Sequence, residues 1–445
     1  MRYTQLGNND VSRMLERIGA DSVEALFAGV PAGARLDGPL DVPAAMSELE
    51  LTRHLESLAG ANHGCDELVC FLGGGAYDHF IPAIVDALAG QSEFVTAYTP
   101  YQAEASQGTL QAFYEYQTLI CQLTGMDVSN ASLYDGATAA AEAVLMARTV
   151  AFRGRVLVSE AVNPDTRAVL ETYVRALPIE IVTVETHGGL TNLEDLRRQV
   201  NDDAAAVVIQ SPNVFGCVEP LAKAAAIAHE AGAVSIASVD PISCGLLKRP
   251  GDCGADIVVG EGQPLGIPLS YGGPYLGFMA CREKFLRKMP GRLVGATRDK
   301  EGRRGFCLTL QAREQHIRRE RATSNVCTNQ GLVALRAAVY LNAMGKHGIR
   351  KVASLCLDKA HYAAERIGAL DGFALRFASP FFKEFVVRTK KDVAAVMRAA
   401  RERGILAGVP LGRWYPGMKD CFLVAVTEKR TKDEMDGLVE AIAAA

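Results

Sequence analysis

No lysine precedes Lys223 in this 445-residue chain; every earlier basic residue is an arginine or a histidine. Chemistry that needs a lysine amine must therefore draw it from the second half. Eleven cysteines are scattered from Cys65 to Cys421 without a CxxC pair or a His/Cys cluster of zinc spacing. That pattern argues against a structural metal and a disulfide framework, and reads as reduced cytosolic thiols, mostly filling core space. The start, MRYTQLGNNDVSRML, lacks the basic segment and apolar run of a secretory signal. The alanine-rich stretches are broken by charges, so none spans a membrane. A net charge of −4 argues against a nucleic-acid surface. G-x-S-x-G, H-E-x-x-H and Walker A sequences are absent as well.

What is present is an ordinary globular composition, 49% hydrophobic and 22% charged, on a chain too long for one core. Residues 1–60 read as a helical arm. VSRMLERIG sets Val11, Met14, Leu15 and Ile18 on one helical stripe, and MSELELTRHLESLA makes a second helix. The arm reads as a packing element, with a role in subunit contact open to it. Residues 61–330 change texture. CFLGGGAYDHFIP is a glycine turn before a helix. YTPYQAEAS, with a proline and two tyrosines, reads as an extended surface segment. A long helix then carries Leu110, Phe113, Tyr114, Gln117 and Ile120 on or near one face and stops at Gly125.

Helices next alternate with the strands VLVS, IEIVTV, AAVVIQ, AVSIASVD, ADIVVG and YLGFMA. These are continuous apolar runs, which predicts a parallel sheet covered on both faces, with ligands at the carboxyl ends of its strands. LQAREQHIRRERATSNVCTNQGLVALRAAVYLNAM reads as helical and leads out of this domain. Residues 331–445 form a smaller α/β domain, with helices 331–345 and 348–368, strands ALRFA, EFVVRT and CFLVAVT, and helix KDVAAVMRAARERG. The predicted fold class is α/β: a large domain with a mostly parallel, seven-stranded type of sheet, as in pyridoxal-phosphate (PLP) transferases of fold type I, plus the smaller domain.

Local features bear on that cofactor. SLYDGATAAAEA (132–143) puts a glycine and small residues at a helix start, which receives a phosphate or is simply capped by Asp135. SVDP ends a strand with Asp240, either the acid that pairs with a pyridinium nitrogen or a turn aspartate before proline. QSPNVFG fits a strand-end loop near a cofactor. The expected lysine at the end of the next strand is missing: GEGQPLG carries Gln263, and no lysine stands between Lys248 and Lys284. Lys248, in GLLKRPGD, lies in a connection and is a fallback anchor only. An amide forms no Schiff base and moves no proton. FLGGGAYDHF does not continue into a dinucleotide-binding pattern.

The long motifs FLGGGAYDHFIP, TAYTPYQAEASQGTLQAFYEYQT, SLYDGATAAAEA, DPISCGLLKRPGDCGADIVVGEGQPLG, YGGPYLGF, PGRLVG and LTLQAREQHIRRERATSNVCTNQ resemble the glycine decarboxylase, or P-protein, of the glycine cleavage system. That family occurs as one chain of two homologous halves or as two subunits. This chain is similar to the N-terminal half, the alpha subunit of the split form. The C-terminal half carries the PLP lysine after a histidine. Alignment on Gly251–Asp256 puts that place at Gln263 or Pro264.

The resemblance implies a reaction in which PLP on the partner subunit takes up glycine, CO2 leaves, and the aminomethyl group passes to the lipoyl arm of the H-protein. It implies the lysine-bearing beta subunit as partner, in a heterotetramer of two of each, with this chain lending shape and electrostatics. The segment YTPYQAEAS is the candidate contribution: Tyr98 and Tyr101 offer hydroxyls, Gln102 an amide and Glu104 a carboxylate, to orient a substrate carboxylate or handle a proton, or else to pack an interface. REQHIRRER is a solvated helix face or pairs with acids of the partner. Asp240 and Gln263 mark a vestigial cofactor place. Two other readings stand beside this one: a PLP enzyme complete in itself, using Lys248 or another lysine, and a scaffold that kept the fold and lost the site.

Overall fold

A computed structural model describes every residue except Met1–Thr4, Asp37, Thr323 and Cys327. The first residues of the N-terminal motif and two positions of TSNVCTNQ thus lie outside the described residues. The chain divides into two units, Met1–His63 and Gly64–Ala445. The first contains the helices Asn8–Ile18 and Glu48–Ala59. A capping box starts the second helix: the Ser47 hydroxyl accepts from Glu50 N–H, and the Glu50 carboxylate accepts from Ser47 N–H at 2.8 Å. The predicted stripe is there, yet Met14 and Ile18 are exposed and neither helix holds a buried residue.

The second unit is built on a seven-stranded sheet. Its strands are β1 (Val128–Ser129), β2 (Arg155–Ser159), β3 (Glu180–Val184), β4 (Ala204–Ser211), β5 (Val234–Val239), β6 (Ile257–Glu261) and β7 (Gly277–Cys281). Their spatial order is β1-β7-β6-β5-β4-β2-β3. The five strands β2 to β6 run parallel, and β7 and β1 close one edge antiparallel. The apolar runs are buried on both faces as their lack of alternation predicted, with β7 wholly buried. The helix Gly136–Ala151 lies over them on its alanines; nine of its residues are buried. On the long helix Gln107–Thr124 the phase differs slightly from expectation: Tyr116 is fully buried, while Tyr114 is 36% exposed. Gly125 ends it with φ 73°, in the left-handed region a glycine tolerates.

A smaller antiparallel sheet follows: β8 (Phe373–Leu375), β9 (Glu384–Thr389), β10 (Val409–Pro410) and β11 (Cys421–Ala425), in the order β8-β9-β11-β10. The segment Val69–Cys70 pairs in parallel with Ile405–Leu406, so the glycine turn after it is held beside this C-terminal sheet. The helix Gly331–Gly368 leads to the sheet and breaks at Gly345 (φ 59°, ψ −178°), where two helices were expected.

Two expectations fail. Residues 311–321 are not one helix but three short turns, Gln311–Arg313, Gln315–Arg318 and Arg319–Arg321, and regular helix begins only at Gly331. The stretch is tied down by other contacts: Arg313 donates to the carbonyls of Met289 and Gly291, and Glu314 pairs with Arg292, from outside the stretch, at 2.7 Å. YTPYQAEAS is on the surface but is coiled, not extended, with Gln102 N–H donating to Thr99 C=O and Ser106 N–H to Gln102 C=O.

Candidate functional site

The carboxyl ends of β5 and β6 open into a cavity of about 520 Å³, where the glycine turn, the start of the helix Gly136–Ala151 and residues Phe382–Glu384 converge. Asp240 follows β5 directly. Its Oδ1 accepts the Ile242 N–H at 3.0 Å, the local turn that the following proline favours. Its Oδ2 points into the cavity and lies 2.7 Å from the Lys383 ammonium, an ion pair without the angle of a directed hydrogen bond. Lys383 stands just before β9 and is 1% exposed. Its ammonium also sits 3.5 Å from the centre of the Tyr77 ring and 3.0 Å from His79 Nε2. Sequence reasoning missed this residue: nothing in ASPFFKEF distinguishes a buried lysine from a solvated one.

The ammonium is part of a larger polar core. His79 Nδ1 donates to Glu428 Oε2 at 2.6 Å, so Nε2, facing an ammonium, presents its lone pair. Burial alone would raise the Glu428 carboxyl, but His79 and the Phe80 N–H outweigh it and hold it at about 2. Cys356 completes a trio with His79 and Glu428 within 4.8 Å, but both ring nitrogens of His79 are already engaged, one of them by a cation. Asp78 pairs with Lys429 at 2.8 Å and Arg430 at 2.9 Å. Glu384 accepts from Gly74 N–H at 2.7 Å and from the Tyr77 hydroxyl at 2.8 Å, and burial pushes its carboxyl up to about 7. The glycines of FLGGGAY now have a reason: a Cβ on Gly73 would stand 2.2 Å from Glu384 Oε1 and 2.6 Å from the Ala425 Cβ.

Opposite, at the end of β6, Glu261 takes the start of the helix Gly136–Ala151. Its Oε2 accepts Gly136 N–H at 2.9 Å, and its Oε1 accepts Gln263 N–H at 2.9 Å and Leu276 N–H at 3.0 Å. Burial pushes this carboxyl up to about 7 as well. The Asp135 carboxylate caps the same helix through Thr138 N–H at 2.8 Å, so capping is what SLYDGAT does here. Gln263, 1% exposed, is a strut: its Oε1 accepts Tyr77 N–H at 2.9 Å, and its Nε2 donates to Tyr77 C=O at 3.0 Å and Ile267 C=O at 2.8 Å. It braces the glycine turn and is not part of the cavity lining.

PLP needs an amine to anchor it, an anion cradle for its phosphate and an acid for its ring nitrogen. Here Gln263, where the sequence pattern led one to expect the amine, is a bonded amide, the helix start holds a buried carboxylate, and the acid already faces an ammonium. The residues do not fit the group. Lys248 is exposed and outside the cavity. Lys383 lines the cavity but is held at Asp240, the acid that a ring nitrogen would need, and so is not placed to serve as the anchor.

The candidate surface segment forms a second cleft. Tyr98, Tyr101 and Gln102 line it with Arg292 and Asn329; Glu104 is exposed beside it but does not line it. Tyr98 is 96% exposed. The Tyr101 hydroxyl donates to Asn329, and the Arg292 guanidinium lies 4.9 Å from the Tyr101 ring centre. Asn329 and Gly331 border this cleft while Gln330 borders the first, so the two places adjoin. Among the described residues, no helix is long and apolar enough to cross a membrane.

Comparison with known proteins agrees along the whole chain. The family model described as "Glycine cleavage system P-protein" matches residues 1–442. Over 444 residues the chain is 51% identical to the "Probable glycine dehydrogenase (decarboxylating) subunit 1" of Desulforamulus reducens, covering 100% of both. The crystal structure of a glycine decarboxylase (P-protein) of the glycine cleavage system, in inhibitor-bound form, superimposes with a TM-score of 0.91 at 45% identity, again with 100% of both chains covered. A sphingosine-1-phosphate lyase of Burkholderia pseudomallei, 15% identical, aligns over 93% of this chain and 94% of its own with a TM-score of 0.63, a likeness of fold alone. The architecture is that of PLP-dependent enzymes of fold type I, as expected.

Proposed function

This chain belongs to the glycine cleavage system P-protein family, and we propose that it is the non-anchoring subunit of a two-subunit glycine decarboxylase. The observation that carries the reading is a full-length relation to a subunit 1 combined with a bonded amide, Gln263, where the resemblance leads one to expect a lysine. The partner is the lysine-bearing second subunit, which anchors PLP. That cofactor supplies the electron sink as CO2 leaves glycine. The aminomethyl group then goes to one sulfur of the lipoyl disulfide of H-protein, and the other sulfur leaves as a thiol. We place the complex in the cytoplasm, in keeping with the scattered free cysteines.

This chain's contribution is the segment around Tyr98–Glu104. Tyr98 projects its ring and hydroxyl outward, and the Gln102 amide and Glu104 carboxylate lie on the same exposed segment. Tyr101 braces them from within through Asn329. Outward groups of this kind are suited to orient a substrate carboxylate or hold a proton in a partner's site. The exposed apolar side chains of the N-terminal helices fit a subunit contact.

The test is reconstitution. Purified chain, its partner, and both together are assayed for glycine-dependent CO2 release with lipoylated H-protein. Activity in the mixture alone, with borohydride trapping the cofactor only on the partner, is the expected result. Decarboxylation by this chain alone, or a trapped lysine within it, refutes the assignment.

A further inference from the structure

The cavity at the ends of β5 and β6 has the outline of a cofactor site, yet each polar feature that PLP would use is engaged by the chain itself. We infer that Lys383, Glu261 and Gln263 act together as an internal substitute for a cofactor: they occupy its charged ends, keep PLP out, and fasten the smaller sheet to the larger one.

The argument runs from charge to position. Asp240 sits at the end of a strand of the seven-stranded sheet, where a lone buried carboxylate is costly. A ligand ring would offer it a cation. Lys383 supplies one at 2.7 Å, from the start of a strand of the four-stranded sheet. At the other end, the helix start that suits a phosphate is satisfied by Glu261, whose second oxygen is tied to Gln263 and Leu276 N–H. A phosphate placed there would face the carboxylates of Glu261 and Asp135 together. The third point, Gln263, uses both amide atoms on the main chain of Tyr77.

The lysine is also not free to swing away. Phe382 N–H donates to Gly216 C=O at 3.1 Å and Val218 N–H to Pro380 C=O at 2.8 Å, binding the chain on the N-terminal side of Lys383 to the loop after β4. On the other side, a Cβ on Gly216 would fall 1.9 Å from the Glu384 carbonyl oxygen, so the two backbones are in direct contact. The ammonium therefore arrives at Asp240 on a rigid mount, and the pair spans the gap between the sheets. A buried pair of this kind contributes little net stability when both members are present, but removing either one strands the other charge.

This inference concerns the chain's own cavity and does not depend on the partner's activity, which the reconstitution assay reads separately. The test has two arms, both on the full chain. First, PLP is titrated into the wild-type chain, followed by absorbance and melting temperature, and the complex is analysed for cofactor content. Free-PLP absorbance, no thermal shift, and one PLP per pair of chains are expected. Saturable binding to this chain that protects Lys383 from amine labelling overturns the inference. Second, the melting temperatures of Lys383→Met, Asp240→Asn and the double variant are compared. Each single change should lower the midpoint, and the double change should recover most of the loss. Additive losses would overturn the latch. If Lys383→Met alone does not fold, a folded double variant gives the expected result by itself, and an unfolded one leaves Lys383→Met without rescue and counts against it.

Discussion

Substituting Glu384 by Gln should change how stability depends on pH, with a sign that can be stated in advance. The carboxyl is buried between Gly74 and Tyr77, and burial lifts it from an ordinary 4.5 to about 7. The folded chain therefore holds a proton there that the unfolded chain has released between those values. Stability from this group is fully present below pH 4.5 and is lost as pH rises through about 7. At 1.36 kcal/mol per pH unit, the span between 4.5 and about 7 amounts to about 3 kcal/mol. Glutamine has the same shape and no charge. Its oxygen accepts from Gly74 N–H, and its NH2 donates to the Tyr77 oxygen, so both contacts survive with one direction reversed. Wild type and Glu384→Gln should thus be about equally stable near pH 5, and the variant more stable by up to about 3 kcal/mol near pH 8. Urea unfolding across that range, read as the difference between the two proteins, cancels the other titrating groups, including Glu261 and Glu142, which rise to about 7 for the same reason. A difference that stays flat with pH, or a variant that loses stability as pH rises, would refute the account.

Gly216→Ala should be severely destabilising, by several kcal/mol or with loss of soluble protein, since its φ is +82° and the new Cβ meets the Glu384 carbonyl oxygen at 1.9 Å; a normal melting curve would contradict the close approach. Gln263→Lys should restore no cofactor binding, because Asp240 and the start of the helix Gly136–Ala151 stay taken, and it should cost about 2–5 kcal/mol by leaving Tyr77 main-chain groups unpaired. A new PLP absorbance band from that variant would show the site to be one residue from function. Tyr98→Phe should lower kcat of the reconstituted enzyme while the melting temperature of the chain is unchanged, whereas Tyr101→Phe, which loses the bond to Asn329, should cost about 1 kcal/mol of stability. Thermal melts and CO2 release on the same preparations separate the two.

Much of the large sheet was legible because burial on both faces leaves continuous apolar runs, and because a glycine closes some of the helices, as at Gly90 and Gly125. The place of Asp240 was legible for the same reason: it ends a clear strand. Gln263 was visible as an absence, but its job as a strut was not, since its partner Tyr77 lies in a glycine turn far away in the chain. Lys383 was invisible: a lysine near a strand start is usually solvated, and only the fold brings it to Asp240. The arginine-rich stretch misled because helix propensity was read without an apolar stripe to hold the helix down. Arg313 finds main-chain carbonyls instead, Glu314 takes Arg292 from outside the stretch, and Arg319 turns to φ 54°.

The arrangement around Asp240 also bears on inheritance. A single codon change at position 263 returns an amine to the chain, but it meets a helix start held by a carboxylate and an aspartate held by an ammonium. Reversal requires changes at positions 261, 263 and 383 together, and several single steps on the way strand a buried charge or unpair a main-chain group. On the reading proposed above, the division of labour between two subunits is written into these side chains as a set, and no single substitution undoes it.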